Sequence, residues 1–270
     1  MPLSTPPLAG CSPPLPAELP VRSARSMQYH TRAMPKPFDA WTVFPHGPIE
    51  KVTENLWRVQ ARLPPNAPIS RTMVVARLTD GRLVIHNAIA LNDGEMKELE
   101  AWGTPSFLIV PNGSHRLDAR IYKNRYPELR VIGPAGAKTK IEEVVKVDET
   151  QPSFGDASVR YEALGGTGDR EGVMSVASNG GTTLVFTDAL MNMQKLPGFG
   201  GFMMGMFGFT GPKPKVSGPA RMLLVKDKKA LRADLERHSK AERLVRVEVA
   251  HGSPISTSPA EAIREAAAGL

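Results

Sequence analysis

The side chains best suited to hold a metal ion or move a proton are the six histidines and the carboxylates that fall near them. His251 closes the β-type run Val245 to Ala250 and is followed at once by Gly252-Ser253-Pro254. Asp188 stands in the same way after Thr183-Leu184-Val185-Phe186-Thr187. A polar residue where a buried strand gives way to a turn is well placed for chemistry, because a rigid sheet then positions it. The alternative for Asp188 is a turn cap. A third locus, Asn112-Gly113-Ser114-His115-Arg116-Leu117-Asp118, follows the apolar run Phe107 to Val110. Asn112, His115 and Asp118 stand three apart and converge if the chain is helical from Ser114. Otherwise Asn112 and Ser114 cap a helix, and His115 and Asp118 lie on its surface. His86 ends a strand and is a cleft candidate. His30 and His238 are expected to face solvent, the latter at a helix C-terminus among Arg237 and Lys240.

These loci need strands and helices to hold them, and the sequence supplies both. Leu56 to Val59, Thr72 to Leu78 and Arg82 to His86 read as strands, the last two joined by an Asp80-Gly81 hairpin turn. Asn92 with Glu95 three residues on predicts a helix through Trp102. Strands at Ser106 to Val110 and Arg130 to Ile132 alternate with helices at about Leu117 to Tyr126 and Ala137 to Val144. The second half repeats the scheme: strands at Ser158 to Leu164, Val173 to Ala177, Thr182 to Thr187 and Leu244 to Ala250, with a helix over Lys226 to His238. Ser258-Pro259-Ala260-Glu261 predicts a capped final helix. Two strand-rich halves, each closing with helices, imply two packed sheets with helices outside, an α/β fold.

Apolar residues at 41% and charged residues at 23% exclude a wholly disordered or fibrous chain. The net charge of +7 is spread out, and acids interrupt the basic stretch Arg221 to Arg246, so nucleic-acid binding is not expected. Cys11 is the only cysteine, which rules out an intrachain disulfide and a thiolate zinc site. Leu8-Ala9-Gly10-Cys11 looks like a lipoprotein cleavage box, yet the preceding MPLSTPP has neither basic nor apolar region. It reads as a chance match, and a cytoplasmic protein without a membrane span is expected. Residues 1–37, crowded with proline, read as a disordered tail before a single domain over 41–270. The apolar run Leu196 to Phe209 is rich in Gly, Met and Phe; its glycines disfavour a stable core helix. It reads as a buried connector, a mobile lid or an apolar partner patch.

Taken in order, the pieces resemble the metallo-β-lactamase superfamily over about residues 48 to 265. A strand runs into the Asn112–Asp118 locus, and Tyr126-Pro127 follows a helix. Then come the turn Gly165-Gly166-Thr167-Gly168, a strand ending in Asp188, and one ending in His251-Gly252. The likeness is strongest to a subgroup without assigned function whose chains read like Leu83-Val84-Ile85-His86-Asn87 and Val110-Pro111-Asn112-Gly113-Ser114-His115. The resemblance implies a four-layer αββα sandwich and a metal-dependent hydrolase-like activity. It also implies a depleted metal cage. The superfamily's His-x-His-x-Asp-His positions fall on Asn112, Ser114, Arg116 and Leu117, and its next histidine falls in the turn that holds Thr167. Asp188 and His251 match the family's last two ligands, and Arg116 would repel a metal. A single zinc, iron or manganese ion on Asp188, His251 and either His115 or Asp118 is one expectation; Asn112, His86, Arg116 and Thr167 are the accompanying cleft residues. The other is a non-catalytic protein that binds a small molecule or partner in the same cleft. A homo-oligomer remains open.

Overall fold

The computed structural model describes residues 36–63 and 69–270. Most of the expected disordered tail, and with it His30 and Cys11, lies outside the described residues.

Alternation of side chains builds the first sheet. Strands β1 (Glu50–Thr53), β2 (Leu56–Arg62), β3 (Ser70–Arg77) and β4 (Arg82–His86) form an antiparallel meander. Gly81 sits at φ +86° in the β3–β4 turn, a conformation that costs glycine little. Helix α1 (Asp93–Trp102) then opens with the predicted reciprocal cap between Asn92 and Glu95. It leads into β5 (Thr104–Ile109), parallel to β4. Helix α2 (Ala119–Arg125), strand β6 (Arg130–Ile132) and, after a single 3-10 turn, helix α3 (Lys138–Glu142) complete this half.

The second sheet is made of β7 (Val159–Ala163), β8 (Gly172–Ser178) and β9 (Gly181–Phe186). Helices α4 (Gly198–Met206), α5 (Gly218–Leu223) and α6 (Lys228–His238) follow, then β10 (Leu244–Val249), which pairs parallel with β9. Helix α7 (Pro259–Ala268) ends the chain. The sheet orders are β1-β2-β3-β4-β5-β6 and β10-β9-β8-β7.

Three layers of core hold these sheets. Val59, Met73, Val75 and Ile85 pack outward on Met96, Leu99 and Tyr122 of α1 and α2. Their neighbours Leu56, Val74, Ala76 and Val84 point the other way, onto Val159, Met174, Val176 and Val185 of the second sheet. The far face of that sheet, with Leu184, Phe186 and Val247, packs on Leu231, Leu235 and Ile263 of α6 and α7. This is the expected four-layer αββα sandwich. Among the described residues, no helix is long and apolar enough to cross a membrane.

Several local expectations change. His238 is buried rather than solvent-facing, because α6 turns this side toward the sheet; its ring meets Phe186 edge-on at 5.8 Å. Ser258 precedes α7 in a left-handed conformation and makes no side-chain cap, so Pro259 and Glu261 alone mark that start. Residues 198–206 are helical despite their glycines, and Phe199 and Phe202 are exposed, which excludes a buried connector.

His86 does not line the cleft. Two residues after Val84 on the same strand, it shares that residue's face and is fully buried, and neither ring nitrogen has a partner among the described residues. Burial, aided by the nearby His115, pushes its pKa down to about 3 from 6.5. The folded state therefore keeps His86 neutral while the unfolded chain takes up a proton below about pH 6.5. Stability present above that pH is lost as pH falls toward 3, by up to about 1.4 kcal/mol per unit. His86→Leu should remove this component, and chemical denaturation between pH 7 and 4 measures it. Equal pH slopes for the two proteins would refute the assignment.

Candidate metal centre

Register places two of the site residues together. In the parallel pair β9–β10, Phe186 stands opposite Val249. Asp188 and His251 lie two positions beyond these partners, so both leave the same end of the sheet side by side. The third residue comes from the first sheet: β5 ends at Ile109, and the turn after it delivers His115.

The three side chains converge in a nearly equilateral triangle. His115 Nε2 and His251 Nε2 each lie 3.2 Å from Asp188 Oδ1, and 3.2 Å from one another. Ligands about 2.0 Å from a tetrahedral ion stand roughly 3.3 Å apart, so this spacing fits a metal ion capping the triangle. Two histidines and one carboxylate suit zinc and equally the facial set used by non-heme iron.

The ring orientations agree with that fit. His251 Nδ1 is 2.6 Å from the carbonyl oxygen of Ser70, which can only accept, so Nδ1 carries the proton and Nε2 offers its lone pair to the centre. His115 Nδ1 is 3.1 Å from Asn87 Oδ1. The Asn87 amide donates through Nδ2 to the Thr72 carbonyl at 2.8 Å, which fixes Oδ1 as the acceptor. His115 Nδ1 is therefore also the donor, and its Nε2 is free. Asn87 itself is held in the left-handed region, φ +57°, at the end of β4.

A further layer holds Asp188. Its Oδ2 accepts from Asn112 Nδ2 at 2.9 Å, while Asn112 Oδ1 accepts the backbone N–H groups of Ser114 and His115. One amide thus ties together two of the ligand-type residues. Glu171, fully buried, accepts from Asn112 Nδ2 at 3.0 Å and from the N–H groups of Asp188 and Ala189. Burial and the charge of Asp188 together push the Glu171 carboxyl up. Burial works against the charge on Asp188, but His115 and His251 outweigh it and hold this carboxyl well below the usual range. Burial likewise opposes a charge on His251, yet Asp188 and the Ser70 carbonyl raise its pKa. Nothing in the sequence singles out Glu171, which ends a glycine-rich turn two residues after another acid, Asp169.

The other sequence candidates go elsewhere. Asp118 points away from the triangle and forms a buried ion pair with Arg71, also accepting from Ala90 N at 2.9 Å. The reason is that residues 112–118 form turns, not helix, and α2 starts only at Ala119. Arg116 is turned toward Glu143 and the Lys140 carbonyl, so it does not oppose a cation at the centre. Thr167 is buried against its own turn, donating to the Leu164 carbonyl at 2.6 Å. Of the four expected cleft residues, only Asn112 lines the cleft.

The triangle lies in a cleft of about 650 Å³. One wall is apolar, with Leu63, Ile69, Leu117, Phe209, Leu223 and Leu224; Arg71, Lys140 and Arg170 bring positive charge to its lining. Arg71 is matched by Asp118 and Lys140 by Glu143, whereas among the described residues Arg170 reaches only the Leu223 carbonyl, at 3.4 Å.

No protein-family model matches the chain, and no curated protein matches it. Solved structures do. DIM-1 metallo-β-lactamase exposed to ceftazidime aligns at a TM-score of 0.55 and 13% identity, over 84% of this chain and 99% of that one. A metallo-β-lactamase from Erythrobacter litoralis, with β-mercaptoethanol in its active site, gives 0.56 and 11%, over 82% and 96%. One from Hirschia baltica gives 0.54 and 11%, over 83% and 98%. At this identity the likeness establishes the fold: the chain has the metallo-β-lactamase fold.

Proposed function

We propose that this chain, built on the metallo-β-lactamase fold, is a hydrolase-like protein that works with one metal ion held by His115, Asp188 and His251. The observation that carries the reading is the 3.2 Å triangle of three ligand atoms, with both Nε2 lone pairs directed inward. A count of one ion rather than two is supported by Asn112. At the position where the resemblance places a first histidine, it instead hydrogen-bonds the Asp188 carboxylate.

A divalent ion there, zinc, iron or manganese, would polarise a substrate oxygen and lower the pKa of bound water. The chain's own residues do the rest. Ser70 and Asn87 keep the two imidazoles in the ligating tautomer, and Asn112 and Glu171 fix the Asp188 segment. The apolar wall limits bulk water, and Arg170, a lining cation with no ion pair among the described residues, favours a substrate that carries negative charge. A small molecule fits the cleft better than a polymer, and a cytoplasmic setting suits a chain with a single cysteine.

Elemental analysis of the purified chain tests this. About one equivalent of zinc, iron or manganese is expected, together with metal-dependent release of product from a nitrophenyl ester or phosphodiester. Folded protein that stays metal-free when these ions are supplied would overturn the reading and leave the cleft as a binding site for a small molecule.

A further inference from the structure

We propose that helices α4 and α5 form a docking surface for a lipid bilayer carrying anionic headgroups. Helix α4 reverses the usual amphipathic order. Phe199, Phe202 and Met206 stand at i, i+3 and i+7, one stripe of the helix, and they are 74%, 66% and 61% exposed. The only buried residue of α4 is Gly201. A Cβ built on Gly198 or Gly200 would meet nothing within 4 Å, so no other part of the described chain covers that side.

Phe207 at the end of α4 is also exposed, and after residues 208–217 the chain comes back to it at the start of α5. Gly208 and Gly218 pack so closely that a Cβ on Gly218 would lie 2.5 Å from the Phe207 carbonyl oxygen. The apolar surface therefore adjoins Met222 and Leu223 of α5, which are 82% and 68% exposed. A contiguous exposed patch of this kind marks an interaction site.

Charge identifies the partner. From residue 189 to residue 226 the chain carries Lys195, Lys213, Lys215, Arg221 and Lys226 and no acidic residue. Lys213 is paired with Glu265 of α7, and Lys215 donates to the Thr210 carbonyl. Among the described residues Lys195 and Lys226, at the two ends, have no ion pair. A protein partner would be expected to meet a rim of mixed polarity. Positive charge close in the chain to the exposed Phe, Met and Leu, with Lys195 four residues before Phe199 and Lys226 three after Leu223, matches instead an anionic bilayer, into which the apolar side chains insert while the lysines reach the headgroups. Leu223 belongs both to this patch and to the lining of the cleft. Docking thus presents the cleft mouth to the membrane face.

Sedimentation of the full chain with vesicles tests the surface. Binding to phosphatidylcholine vesicles containing phosphatidylglycerol is expected, weakening with added salt, and little binding to phosphatidylcholine alone. The variant Phe199→Ser/Phe202→Ser/Met206→Ser should lower partitioning by about tenfold or more, and Lys195→Gln or Lys226→Gln by about fivefold each. Circular dichroism melts establish that the variants fold, which exposed positions make straightforward. Asp188→Ala should leave vesicle binding intact, so the outcome is independent of the metal. Absent vesicle binding, or equal binding by the triple variant, overturns the proposal. So does a concentration-dependent dimer that Phe202→Ser dissolves without any vesicle binding, which would make a second copy the occupant.

Discussion

Asp188→Ala should weaken zinc affinity by roughly a thousandfold, more than the ten- to hundredfold that removal of a supporting partner brings. Asp188 is the only anion of the triangle, and its Oδ1 is the atom from which both Nε2 atoms stand 3.2 Å away. Without it two neutral imidazoles remain, and catalytic zinc sites normally need three protein ligands. Competition against a chromophoric chelator at constant pH measures the change. The folded variant retaining wild-type affinity would show that the ion sits elsewhere or that no site exists. The substitution should not unfold the chain, since the Asp188 side chain is partly exposed and Glu171 still holds the backbone of residues 188 and 189.

Asp118→Ala acts on stability instead, with an expected loss of about 3–5 kcal/mol. Arg71 is 4% exposed, and Asp118 is its ion-pair partner. Removing the carboxylate strands a buried guanidinium and also takes the acceptor from the Ala90 N–H. For a chain of this size the melting temperature should fall by roughly 10 °C. The double variant Arg71→Met/Asp118→Leu should recover the part of the loss that comes from the stranded guanidinium, because an apolar pair avoids the desolvation of both charges, while the Ala90 N–H stays without its acceptor. A double variant no better than Asp118→Ala would mean that the charges themselves are needed to shape the cleft wall.

Much of the architecture is readable from local signals. The Asp80-Gly81 turn, the Asn92/Glu95 cap and the two-residue alternation of β2, β3 and β4 each follow from contacts within a few residues, and those elements lie where the sequence puts them. Asp188 and His251 are legible for the same reason, as polar residues at the ends of apolar strands. His115 is visible too, but its companions are not. The choice between His115 and Asp118 depends on Arg71, which is 47 positions before Asp118, and no spacing rule connects residues so far apart. Glu171 is hidden similarly, since its partners Asn112 and Asp188 come from different sheets. Helix α4 forms against its glycine content, a propensity cost of about 1 kcal/mol per glycine that local sequence rules count against it. His238 shows the converse limit, a residue whose surroundings are set by the sheet beneath the helix.

The two imidazoles are oriented by different kinds of acceptor, and this makes them unequal under mutation. His251 is held by a main-chain carbonyl, that of Ser70. Changing the side chain at position 70 leaves that acceptor in place. His115 depends on the Asn87 side chain, which is itself aligned through a second bond to Thr72. Single substitutions at position 87 can therefore unlock one ligand, while the other is protected by the backbone of β3. Genetic drift would be expected to erode such a centre from the His115 side first.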